Sequence, residues 1–150
     1  MTEQKQQLLT QFVAGIFGST IFGIFGWLTM MTYGGNHGCW PIIDKIFNDV
    51  GYLSCGSFGS YAGSYLGAII AILFIKIKKI GNFKTSIYLL VSAFLLPIIY
   101  AYWAFGRFGD YPAFFAGIQI TGIAILASAI PSAIITFLVN IPQFFRRKKA

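Results

Sequence analysis

Four stretches of this sequence contain no Asp, Glu, Lys, Arg or His: Leu8–Tyr33, Gly56–Ile75, Thr85–Phe105 and Tyr111–Ile141. Each runs for at least 20 residues, and about 20 apolar residues carry a helix across a hydrocarbon core. Only 10% of the 150 residues are charged, against about 25% in soluble domains. The backbone of a lipid-embedded segment must satisfy its own polar groups, so the four blocks are expected as α-helices. The ten-residue alternation of a membrane barrel is absent. The expectation is an all-α integral membrane protein: one four-transmembrane-helix bundle filling residues 1–150. The last block is long enough to need tilt or a kink. The first block exceeds the apolar core of a cleaved signal peptide, so it is read as a retained span.

The placement of Lys and Arg orients these spans. With the N-terminus inside, Lys5, Lys76, Lys78, Lys79, Lys84, Arg146, Arg147, Lys148 and Lys149 face the cytoplasm. Only Lys45 and Arg107 face outward. Both termini are therefore expected in the cytoplasm, with the chain in the cytoplasmic (inner) membrane. The net charge of +7 is then a matter of topology and anionic lipid. It does not form the basic, aromatic-studded face of a nucleic-acid binder, and no nucleic-acid partner is expected. Trp27, Trp40 and Trp103 fall near the outer interface, where such rings gather, and Phe144 and Phe145 near the inner one.

The stretch "GSFGSYAGSYLGA" at 56–68 is nearly stripped of bulk. At 100° per residue, Gly59, Gly63, Gly67 and Ala71 form one row at spacing four. Gly56, Ser60, Ser64 and Ala68 form the row beside it. In lipid, helices associate through close van der Waals contact, which rows of small residues permit. Gly15, Ser19 and Gly23 in the first span, and Ala124, Ser128 and Ser132 in the fourth, repeat the spacing. A glycine-zipper contact follows. It packs within one chain, between copies or against another membrane protein, or it lines a conduit, and the sequence leaves these open. "GIFG" occurs twice, at 15–18 and 23–26. "FAGIQITGIAIL" echoes "YAGSYLGAIIAIL", as a duplicated helical hairpin would.

The loop Gly34–Cys55 holds "WPIIDKIFNDVG", which reads as a short amphipathic helix in the first outer loop. Pro41 suits its first turn and Gly51 its C-terminal cap. Ile42, Ile43, Ile46, Phe47 and Val50 share one face; Asp44, Lys45, Asn48 and Asp49 share the other. Such a helix is a lid on its own spans or a docking surface. Cys39 and Cys55 bracket it, and on this topology they face an oxidising compartment, where a disulfide is expected. A redox role normally uses a Cys-X-X-Cys pair, which is missing. His37 beside Cys39 fits no standard zinc spacing, so no metal and no cofactor are expected.

Ionisable groups within a membrane usually mark ion or proton pathways, and these blocks hold none. Gln119 is the most polar mid-chain group of the fourth span and is expected to bond across helices or to touch a permeating solute. Pro97 and Pro131 interrupt the third and fourth spans and are expected to kink them. Arg107 and Asp110 are expected as an exposed pair. Four acids and one His assemble no nucleophilic triad or carboxylate pair, so the chain is expected not to be an enzyme.

"QFVAGIFGSTIFGIFGWL" and "ITFLVNIPQFFRRK" resemble the first and last spans of GtrA-like membrane proteins, over less than a third of the chain. That resemblance implies a four-span protein associated with moving lipid-linked sugars; no residue role is carried over. The leading expectation is a non-enzymatic membrane protein acting through helix association, as a homo-oligomer or accessory subunit. The alternatives are a small channel, transporter or lipid translocator, and an outward-facing thiol–disulfide protein.

Overall fold

A computed structural model describes residues 3–49, 51–104, 109 and 111–147. The described residues form five helices and no strand: α1 (Glu3–His37), α2 (Pro41–Phe47), α3 (Tyr52–Ile77), α4 (Phe83–Ala104) and α5 (Tyr111–Arg147). All but the short α2 are long and apolar enough to cross a membrane. Each of the four overruns its charge-free block because a helix, once nucleated, does not stop where apolar sequence gives way to polar. Thus α1 takes in Glu3 and Lys5, and α3 takes in Lys76. The expected Arg107–Asp110 pair lies outside the described residues, as do Val50 and the side chains of Phe144 and Phe145.

Helix α1 is central and packs against α3, α4 and α5, while α3 and α4 do not touch among the described residues. It runs antiparallel to α3: Gly18 meets Gly67, Gly26 meets Gly59 and Gly34 meets Cys55. Between α3 and α4, the Asn82 side chain accepts from the Lys84 amide at 3.0 Å, capping the start of α4. The buried Thr10 hydroxyl of α1 pairs with Ser86 of α4 at 3.0 Å. Gly81 lies against Gln7. The start of α1, the α3–α4 turn and the last turns of α5 thus gather at one end. Lys5, Lys78, Lys79 and Lys84 are exposed there, and the Lys76 ammonium donates to the Val139 carbonyl. This is the basic end.

The opposite end carries α2 and a Cys39–Cys55 disulfide, with the two Cα atoms 5.6 Å apart. Helix α2 starts at Pro41 as expected but stops at Phe47, with Asn48 in the left-handed conformation at φ 51°. Asn tolerates that geometry and closes the helix early, so Gly51 is not its cap. Gly51, at φ +62°, instead turns the chain into α3. The expected apolar face is also only partly used. Ile43 is buried, but Ile42 and Ile46 are 69% and 68% exposed. Asp44 accepts a hydrogen bond from Ser54, Phe47 stacks on Tyr61 at 5.7 Å, and Trp40 meets Phe58 edge-on at 6.3 Å. These contacts hold α2 over the end of α3.

Candidate functional site

The two "GIFG" repeats split their glycines between two rows of α1. A methyl placed on Gly18 would strike the Gly67 carbonyl, and one on Gly26 the Gly59 carbonyl. The contact is reciprocal: methyls on Gly67 and Gly59 would strike the carbonyls of Gly18 and Gly26, and one on Gly63 that of Phe22. Backbone rests on backbone along this seam, so the glycine row of α3 is spent inside the chain. The row Gly15, Ser19 and Gly23 faces other neighbours. Gly15 sits where Ile72 of α3 and Ser132 of α5 converge, and Gly23 sits under Ser64. Gly56 packs on Trp27, whose Nε1 would lie 3.0 Å from a methyl there.

Above Gly15 the helices part, and a cleft of about 630 Å³ opens in the flank of the molecule. Its floor is α1, from Ser19 and Thr20 through Gly23 to Trp27. One wall is α3, with Ser57, Ser60, Tyr61, Ser64 and Tyr65. The other is Pro97 and Tyr100 of α4 with Ala124, Ala127, Ser128 and Pro131 of α5. Among the described residues the lining contains no charged side chain. Ser60 and Ser64, of the small-residue row expected either to pack or to line a conduit, belong to this cavity. Their row turns towards it because the neighbouring glycine row is engaged with α1.

Hydrogen bonds account for part of the lining. Thr20 donates to Ser128 at 3.1 Å, Ser128 donates to the Ala124 carbonyl at 2.7 Å, and Ser64 donates to the Ser19 carbonyl at 3.2 Å. The Ser19 hydroxyl itself is fully buried and has no partner among the described residues. A buried hydroxyl without a partner is costly and uncommon in folded proteins. Pro131 lacks an N–H, so the carbonyl of Ala127 one turn earlier loses its helical donor. Both residues belong to the cleft lining.

Gln119 is exposed on α5 and is not among the described residues that line the cleft. Among the described residues an amide contact between helices is made by Gln11 and Asn140. Asn140 donates to Gln11 at 2.7 Å, and each residue is only 1% exposed. The sequence carries the signal for both. Gln11 extends the row of Gly15, Ser19 and Gly23 by one step of four, and Thr136 and Asn140 extend that of Ala124, Ser128 and Ser132. Among the described residues no cluster of His, Cys, Asp or Glu is large enough to hold a metal. His37 is exposed and packs on the Tyr33 ring at 5.0 Å.

No protein-family model, curated protein or solved structure matches this chain.

Proposed function

We propose that this chain is a multi-pass protein of the cytoplasmic membrane, with both termini cytoplasmic, that binds or translocates a small molecule or lipid through its lateral cleft and performs no bond chemistry. Two features support its place in the membrane. Large apolar side chains stand exposed around the helices, among them Phe25, Ile99, Ile123 and Leu126, which lipid would cover. The lysines of the basic end satisfy the positive-inside rule if that end is cytoplasmic.

The observation that carries the functional reading is the cleft itself. Pockets that take small ligands measure about 300–1,000 Å³ and occur between helices of bundles. The glycine seam, by contrast, is already occupied by α1 and offers no surface to a second chain. A partner role as accessory subunit or homo-oligomer keeps one observation in its favour, the exposed Ile42 and Ile46 on α2. For thiol–disulfide exchange, the full burial of Cys55 leaves only the half-buried Cys39 open to attack, and access limits exchange.

Filling the cleft tests the reading. Wild-type protein and Ser60→Trp are reconstituted in mixed-lipid vesicles and released for native mass spectrometry. The wild type is expected to retain one bound molecule through detergent exchange, and Ser60→Trp to lose it. Equal retention by both proteins contradicts a functional cleft.

A further inference from the structure

We infer that an open groove between α1 and α5, near the basic end, seats an acyl chain of an anionic phospholipid whose phosphate pairs with Lys5. This inference rests on the membrane placement proposed above and is independent of the cleft.

The groove measures about 360 Å³ and is lined by Leu8, Leu9 and Phe12 of α1 and by Ala133, Thr136 and Phe137 of α5. Thr136 is the one polar residue of this lining among the described residues, and its hydroxyl is buried. The surface on offer is therefore hydrocarbon. Phe137 and Ala133 are exposed, and Leu8, Leu9 and Phe12 half-buried. Water gains nothing by wetting such a lining. On the flank of two membrane spans the medium that fills it is acyl chain.

Charge complementarity names the headgroup. Helix α1 is continuous from Glu3 through the groove. At about 100° per residue, Lys5 falls within the arc spanned by Leu8, Leu9 and Phe12, one turn nearer the basic end. Glu3 falls on the opposite side of the helix. Lys5 is exposed, and a lysine stem lies along apolar surface while its ammonium reaches headgroup level. The rise from Lys5 to Phe12 is about 10 Å of helix, which matches the upper part of a chain hanging from a phosphate at Lys5.

The other lysines of this end stand elsewhere. Lys78 and Lys79 belong to the α3–α4 turn, which meets α1 where Gly81 lies against Gln7, outside the arc of the groove. They draw anionic lipid to the end as a whole, whereas Lys5 is tied to one groove. A free phosphate would pair with Lys5 and leave the groove open. A zwitterionic lipid would fill the groove and bring Lys5 no net counter-charge. An anionic phospholipid does both.

The test reconstitutes full-length protein in vesicles that carry phosphatidylglycerol or phosphatidylcholine with the same photoactivatable acyl chain. Labelling at the groove residues is expected to be stronger from phosphatidylglycerol. Lys5→Gln is expected to weaken that labelling about five-fold, the weight of one lysine beside anionic lipid. Lys78→Gln/Lys79→Gln is expected to leave it unchanged. Ala133→Trp, which fills the groove and keeps Lys5, is expected to abolish it; if that variant does not fold, Lys5→Gln decides alone. Equal groove labelling from both lipids, or labelling unchanged in Lys5→Gln, overturns the inference. So does competition by inorganic phosphate at matched ionic strength, which would make the occupant a soluble anion. Copies cross-linked through Phe137→Cys in place of lipid labelling would put a second chain in the groove and overturn it too. Labelling spread along the spans with no preference for the groove fails this inference alone. No labelling on any span fails the membrane placement itself. Ser60→Trp, in the cleft, is expected to leave groove labelling unchanged, so the cleft reading is tested separately.

Discussion

Gly59→Leu is expected to unfold the α1–α3 pair rather than to perturb it locally. A side chain at Gly59 begins where the Gly26 carbonyl already stands, and the Met30 Cβ lies 2.6 Å from the same point. The first of these obstacles is backbone, which cannot rotate away as a flexible side chain would. Relief requires the two helices to separate, and separation loses contact along the whole seam down to Gly18 and Gly67. Each lost atom pair forfeits only about 0.1–0.2 kcal/mol, but the seam contains many. Overpacking typically costs about 1–3 kcal/mol; a clash of backbone with backbone inside a helix pair is expected at or above the top of that range. The control is Gly122→Leu, because nothing described lies within 4 Å of a methyl at that glycine. Thermal unfolding in detergent should show a large drop for Gly59→Leu and little change for Gly122→Leu. Should Gly59→Leu yield a well-folded monomer from a wild-type oligomer, the seam lies between copies and not within the chain.

The second large effect is expected from the disulfide. Cys39 and Cys55 are separated by 16 positions, and closing a loop of that size stabilises by about 3 kcal/mol in the chain-entropy model. The enclosed helix α2 has seven residues, too few to persist on its own. Its attachment otherwise depends on Ser54 with Asp44 and on the two aromatic contacts to Phe58 and Tyr61. In Cys39→Ser/Cys55→Ser these contacts have to hold an open loop. The unfolding midpoint should fall in that variant, and the wild type should fall to the same value on reduction. A midpoint insensitive to reduction would show that the bridge contributes nothing to stability.

Much of this architecture is legible in the sequence because charge is so costly in lipid. The exclusion of charged residues from four long blocks locates the four long helices, and Pro41 with the paired cysteines locates α2 and its bridge. The seam is legible only in part. Spacing of four identifies a smooth face on α3, but periodicity does not say which row of a neighbour meets it. That choice depends on the antiparallel register set by the short connection through α2. It selected Gly18 and Gly26, the second glycine of each "GIFG", leaving Gly15, Ser19 and Gly23 to other contacts.

Gln119 drew attention because it is central in the last block, yet burial is decided by helix face and not by position along the chain. Gln11 and Asn140 lie nearer the ends, but on the rows that face inward. The cleft is the least legible feature of all. It arises where α3 parts from α4 and α5, and helix divergence is a property of the packed bundle. Its traces in the sequence are the serines beside the glycine row and the two prolines in the opposite wall.

The claim beneath all of this is that the helices cross a bilayer with the basic end in the cytoplasm. Single cysteines introduced at the two ends read that directly, since the native pair is bridged. Ile46→Cys should react with a membrane-impermeant maleimide in intact cells, and Lys78→Cys only after the membrane is opened. Labelling of Lys78→Cys in intact cells, or recovery of the chain in the soluble fraction, would contradict it.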